Sequence, residues 1–330
     1  MITRNPQEET ALPVIQSTFK PAWWLRGAHA QTIWSSLLRL KPRLNIEWQR
    51  VELPDGDFID LAWAGPQTGK TVLLLHGLEG SVHSSYASGL MHALGRRGYR
   101  TCVMHFRGCG RGPNRLPVWY HSGQSDEPQR ILEYLREQMH IEVYAAVGFS
   151  LGGNVLLKWL GERGEDTLLQ RAAVVSVPFQ LAHAAQGMNA GFSRLYQWYL
   201  TTSMRKKYKR KYARVASPLH VDIDKLGTFW QFDDQVTAPL HGFDGVEDYY
   251  ARASSRQFIP RIRVPTLILH ARDDPFMYAH TPPTPDELPD NVWLELTEHG
   301  GHVGFISGRI PGLAQYWGER RLLEWIDNNA

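Results

Sequence analysis

The chain has 330 residues, 43% hydrophobic and 11% aromatic, enough to bury a sizeable core in one large α/β domain with an insertion or in two modest domains. Its 36 Lys+Arg nearly balance 33 Asp+Glu, so the net charge of +3 points to no acidic partner. Two cysteines, Cys102 and Cys109, argue against a disulfide framework, and no run approaches the roughly 18 consecutive apolar residues of a membrane span.

The opening MITRNPQEETALP mixes charges and prolines where a signal peptide needs an unbroken apolar core, so a cytoplasmic location is expected. Residues 1–44, with Trp23, Trp24 and Trp34, are expected to strap along a core made of 45–176 and 261–330. NIEWQRVEL and DFIDLAWA flank a Pro54-Asp55-Gly56 turn and read as a hairpin. TVLLLH (71–76) reads as a buried strand, followed by a helix from Ser84 to Arg97 that stops at Gly98. YRTCVMHF (99–106) is the next strand, with Cys102 an inert buried thiol inside it, and the loop RGCGRGPNRLPVW comes after it. A helix over Asp126–Met139, the strand VYAAVGF (143–149), a helix from Leu151 and the strand AAVVSV (172–177) continue the series. This is the βαβ rhythm of a mostly parallel central sheet flanked by helices.

Between 177 and 260 the rhythm breaks, and helical periodicity takes over in a stretch rich in aromatics, methionine and basic residues. Phe192, Leu195, Tyr196, Tyr199 and Leu200 fall on one helical face, expected either to line an acyl channel or to pack the insertion on the core. The expectation is a helical lid inserted over the carboxyl end of the sheet. VPTLILHA (264–271) and VWLELT (292–297) complete the strands, and a helix over Gly312–Ile326 closes the chain.

The chemistry centres on Gly148-Phe149-Ser150-Leu151-Gly152, a Gly-x-Ser-x-Gly run between a strand and a helix. The chain must reverse there within a couple of residues, and the glycines keep side chains from colliding while Ser150 is held exposed at a helix N-terminus. A serine hydroxyl needs a base to become a nucleophile. In this topology the partners follow in the order acid, then histidine. Asp273 and Asp274 both stand at the end of one strand, with Asp274 favoured by its spacing from Ala271. His302, in Glu298-His299-Gly300-Gly301-His302, is the candidate base, with His299 its rival in the same loop. The oxyanion donors are expected to be the N–H groups of Leu151 and, in His76-Gly77-Leu78-Glu79-Gly80, of Leu78. No metal or organic cofactor is implied by this chemistry.

At these motifs the chain resembles the α/β-hydrolase superfamily. The segments that carry the likeness are PAWWLRGAHAQT, DGDFIDLAW, LLLHGLEGS, FRGCG, GFSLGGN, FDDQVTAPLHGF, ARDDPF and GGHVGF. Within it, HAQT and DDQVTAPLHGF are similar to a branch of bacterial esterases whose eukaryotic relatives include acyl-ester lipases and fatty-acyl ethyl-ester synthases. The resemblance implies an α/β-hydrolase fold and a charge-relay triad of Ser150, Asp274 and His302. It also implies that Arg107, in FRGCG, contacts substrate.

Arg205-Lys206-Lys207-Tyr208-Lys209-Arg210-Lys211 carries six positive charges in seven residues. A solvated lid face competes here with attraction to anionic membranes or acyl carriers, a peripheral contact through 205–211. Nucleic acid is disfavoured because no reading motif accompanies the charge. The whole reads as a serine hydrolase of small-molecule carboxylic esters with a medium or longer acyl group. An acyltransferase and a non-catalytic binding protein on the same scaffold are the alternatives.

Overall fold

Strand β4 (Thr71–Leu75) and strand β6 (Val143–Phe149) are apolar almost throughout and buried at every residue, so both faces of the sheet around them must be covered. The computed structural model describes residues 13–327 and shows how this is done. The remaining strands are β1 (Val14–Gln16), β2 (Glu47–Glu52), β3 (Phe58–Ala64), β5 (Arg100–Met104), β7 (Arg171–Val175), β8 (Thr266–Ala271) and β9 (Val292–Thr297). They form one sheet in the order β1-β9-β8-β7-β6-β4-β5-β3-β2, parallel except where β3 runs against β2 and β5.

Helix α1 (Ala28–Ile33) precedes the hairpin, while α2 (Ser85–Arg96), α3 (Asp126–Met139) and α4 (Leu151–Arg163) connect the central strands. Between β7 and β8 lie α5 (Leu181–Gly187), α6 (Ser193–Tyr212), α7 (Phe229–Phe232), α8 (Ala238–Leu240) and α9 (Val246–Ala253), and α10 (Trp317–Asp327) ends the described chain. Alternation along β4 divides the core. Leu73 and Leu75 pack with Leu132, Leu135, Val155 and Trp159 of α3 and α4, whereas Val72 and Leu74 pack with Leu90, Leu94, Leu322 and Ile326 of α2 and α10. Each such side chain contributes about 1.5–3 kcal/mol by leaving water. These two layers hold the carboxyl ends of β4, β6, β8 and β9 as a rigid rim. None of the described helices is long and apolar enough to cross a membrane.

Three expectations need correction. The N-terminal strap does more than lie along the core: Val14–Gln16 adds an edge strand parallel to β9, although the first twelve residues of the strap lie outside the described ones. The last helix starts at Trp317, because Gln315 and Tyr316 first pair antiparallel with Ile306 and Ser307 across a turn at Gly312. The aromatic face of α6 is the third. Phe192, Leu195 and Tyr199 are exposed, and the inner face carries Ser193, Gln197, Thr201, Met204, Tyr208 and Lys211. Gln197 and Thr201 are accommodated because they bond within the inserted region, to Asn189 Oδ1 and to the Gln197 carbonyl.

Candidate active site

Ser150 sits where β6 ends and α4 begins, with φ 50° and ψ −119°, a backbone conformation L residues avoid. Its N–H donates to the Val175 carbonyl at 2.9 Å, and its own carbonyl accepts from Gly153 N–H, so both neighbouring elements impose the strain. Gly152 is required chiefly by β4: a Cβ there would lie 2.4 Å from the Leu75 carbonyl oxygen and 2.5 Å from that of His76.

His302 Nε2 lies 3.0 Å from Ser150 Oγ, and His302 Nδ1 lies 2.8 Å from Asp274 Oδ2. With its proton on Nδ1, the imidazole donates to the carboxylate and accepts from the serine hydroxyl. Phe276 stacks on the ring at 4.0 Å between centroids and 5° between planes. Burial by itself would raise Asp274, but its interactions with His302, His270 and the Phe276 N–H together hold the carboxyl below its ordinary range. Asp273 takes other partners: its Oδ1 accepts the Gly301 N–H at 2.9 Å and its Oδ2 lies 3.3 Å from His299 Nδ1, on the exposed side of the loop. The two adjacent carboxylates thus separate, one to each histidine.

The histidine loop rests on the strap. Thr32 Oγ1 accepts the His302 N–H at 2.9 Å, Gln31 Oε1 accepts the Ile306 N–H at 2.7 Å, and Ser35 Oγ donates to the Val303 carbonyl. Gly301 at φ 59° faces α1 so closely that a Cβ would meet the Ala28 carbonyl at 2.4 Å. In the loop after β4, Gly77 N–H donates to Tyr86 Oη, Glu79 N–H to Tyr120 Oη and Gly80 N–H to the Gly77 carbonyl. The N–H of Leu78 has no acceptor among the described residues. Leu78 and Leu151 both line the cavity that holds Ser150. That cavity is walled largely by apolar side chains of the inserted region, among them Leu181, Met188, Leu200, Met204 and Phe232.

A family model described as the alpha/beta hydrolase fold matches residues 70–309. The Escherichia coli (strain K12) protein named "Putative esterase YheT" is 42% identical over 315 residues, covering 93% of this chain and 92% of that one. The chain belongs to the α/β-hydrolase superfamily. Phospholipase ABHD3 of Mus musculus is 29% identical over 92% of this chain and 77% of its own length. Among solved structures, the Pyrococcus furiosus esterase Pf2001 aligns with a TM-score of 0.56 at 16% identity, over 86% of this chain and 90% of that one.

Two further corrections concern charged residues of this α/β-hydrolase. Arg107 does not line the cavity. Its guanidinium is buried and engaged by Asp55 at 2.7 Å, Asp57 at 3.2 Å and Glu127, so the FRGCG loop is fastened to the β2–β3 hairpin and α3. The basic run is no single exposed face either. Lys211 is buried against Asn114 and the Val118 carbonyl, Lys207 turns in to Glu79, and Lys209 pairs with Asp224. Sequence reasoning missed Thr32, Gln31 and Phe276. Only their membership in the HAQT and ARDDPF segments could have signalled them, since their partners lie hundreds of residues away or arise from stacking.

Proposed function

We propose that this protein is a serine esterase acting on small-molecule carboxylic esters with a medium or longer acyl group. Ser150 Oγ attacks the carbonyl carbon as its proton passes to His302 Nε2, while Asp274 holds the imidazole in the right tautomer and stabilises the imidazolium. The N–H groups of Leu151 and Leu78 receive the oxyanion, each worth a few kcal/mol in the transition state. Collapse breaks the C–O bond, and the alkoxide takes the proton from His302. A water, deprotonated by the same nitrogen, then frees the acid from the acyl-enzyme.

The observation that carries this reading is the hydrogen-bonded chain Asp274–His302–Ser150 opening into an apolar cavity. The names of YheT and of the mouse phospholipase support ester hydrolysis, and the apolar walls support a hydrophobic acyl chain. Two experiments test it together. A fluorophosphonate probe should label wild type on Ser150 and leave Ser150→Ala untouched. A series of p-nitrophenyl esters of graded acyl length should be hydrolysed by wild type only, with kcat/KM rising beyond acetate. An unlabelled, folded wild type would sink the proposal.

A further inference from the structure

The loop after β4 holds a buried charge cluster that the acyl-transfer chemistry does not use. Glu79, next to Leu78, has φ 55°, in the left-handed region that residues with side chains seldom enter. Its N–H donates to Tyr120 Oη at 3.0 Å, and the Tyr120 hydroxyl donates back to Glu79 Oε1 at 2.9 Å. Lys207 Nζ donates to the same carboxylate oxygen at 2.7 Å, and Ser203 Oγ lies 3.3 Å from the other. Lys207 Nζ also lies 2.9 Å from Cys109 Sγ. The side chains of Glu79 and Lys207 are only 10% and 13% exposed.

These contacts join two bodies. Glu79 belongs to the core loop, whereas Ser203 and Lys207 stand one turn apart on α6 of the insertion. Burial makes the pairing exacting, because either charge left alone in this cavity wall would be strongly disfavoured. The N–H groups of Gly77, Glu79 and Gly80 are all occupied, so the direction of the Leu78 N–H depends on how Glu79 is held. We infer that Glu79 and Lys207 form a latch by which the inserted helix α6 sets the oxyanion loop, which makes Glu79 a positioning residue for the Leu78 N–H. This inference rests on the esterase reading. It also explains why Lys207 leaves the solvated face of the basic run, and why a non-glycine residue is kept at a left-handed position. With α6 seated, the oxyanion donor is aimed. With α6 displaced, the carboxylate loses its counter-ion and the loop is free to relax out of its strained conformation.

The test uses the full chain and p-nitrophenyl butyrate. Lys207→Met should lower kcat about ten- to hundredfold, less than the loss of a whole oxyanion donor, with KM within about twofold of wild type. Lys207→Arg should recover most of the rate. The Glu79→Gln/Lys207→Met double variant should be no slower than the slower single variant, because both remove one contact. Tyr120→Phe keeps the ring stacked on Phe106 and deletes only the hydroxyl, so it should also lower kcat at constant KM, and it serves if Lys207→Met does not fold. A folded Lys207→Met or Tyr120→Phe with wild-type kcat overturns the latch, as do losses that multiply in the double variant. Fluorophosphonate labelling of wild type separates the two failures: labelled wild type with unaffected variants refutes the latch alone, and unlabelled wild type refutes the esterase reading beneath it.

Discussion

Replacing Asp274 by asparagine removes one charge and almost no volume, and the local bonding dictates the outcome. The Phe276 N–H donates to Asp274 Oδ1 at 2.9 Å, so an asparagine at 274 keeps its carbonyl oxygen there and turns its NH2 towards His302. That NH2 can only donate. The imidazole must then accept at Nδ1 and carry its proton on Nε2, the nitrogen 3.0 Å from Ser150, where no base remains. Flipping the amide would restore the tautomer but leave the Phe276 N–H facing another donor. The same tautomer trap in serine proteases lowers kcat by about 10⁴, equivalent to about 5.5 kcal/mol in the barrier. Asp273→Asn should cost less than about tenfold, since an asparagine oxygen still accepts the Gly301 N–H and only the exposed His299 contact is altered. The assay is kcat with p-nitrophenyl butyrate, with thermal melts to confirm folding. Asp274→Asn retaining more than about a tenth of wild-type kcat, or an equal loss in Asp273→Asn, would refute the assignment.

Gly152→Ala should destabilise by more than about 4 kcal/mol in urea titration, because its Cβ meets rigid strand-end carbonyls; Gly112→Ala, with open space around it, should stay within about 0.5 kcal/mol. Ala185→Phe, on the cavity wall, should lower kcat/KM for p-nitrophenyl dodecanoate at least about tenfold while sparing the acetate, and equal losses on both would argue against an acyl site there. Burial, with help from the Arg107 charge, lowers His241 from 6.5 to about 4. The folded protein therefore keeps it neutral while the unfolded chain binds a proton below pH 6.5, and stability falls as pH drops from 6.5 towards 4. From about pH 7 to about pH 5 this one group accounts for about 2 kcal/mol, so His241→Phe should lose correspondingly less stability over that range by urea midpoints.

The sequence alone determined most of the central sheet and the local geometry around Ser150. Val143–Phe149, Val292–Thr297 and helix Asp126–Met139 could be bounded to the residue because periodicity, length and flanking turns agree within each segment. The strand–turn–helix context of Ser150 is equally local, so the strained turn was legible as well. What the sequence could not decide were interactions between distant segments. Spacing from Ala271 favoured Asp274 over Asp273, but that Asp273 pairs in turn with His299 and the Gly301 N–H depends on how the ends of β8 and β9 face each other. The edge strand Val14–Gln16 is too short to show a period, and it exists only because β9 offers it an edge. Arg107 and Lys207 look alike in sequence, as basic residues near the site. Tertiary packing buries one among three carboxylates and brings the other to Glu79, because a buried charge goes wherever the fold supplies its counter-charge.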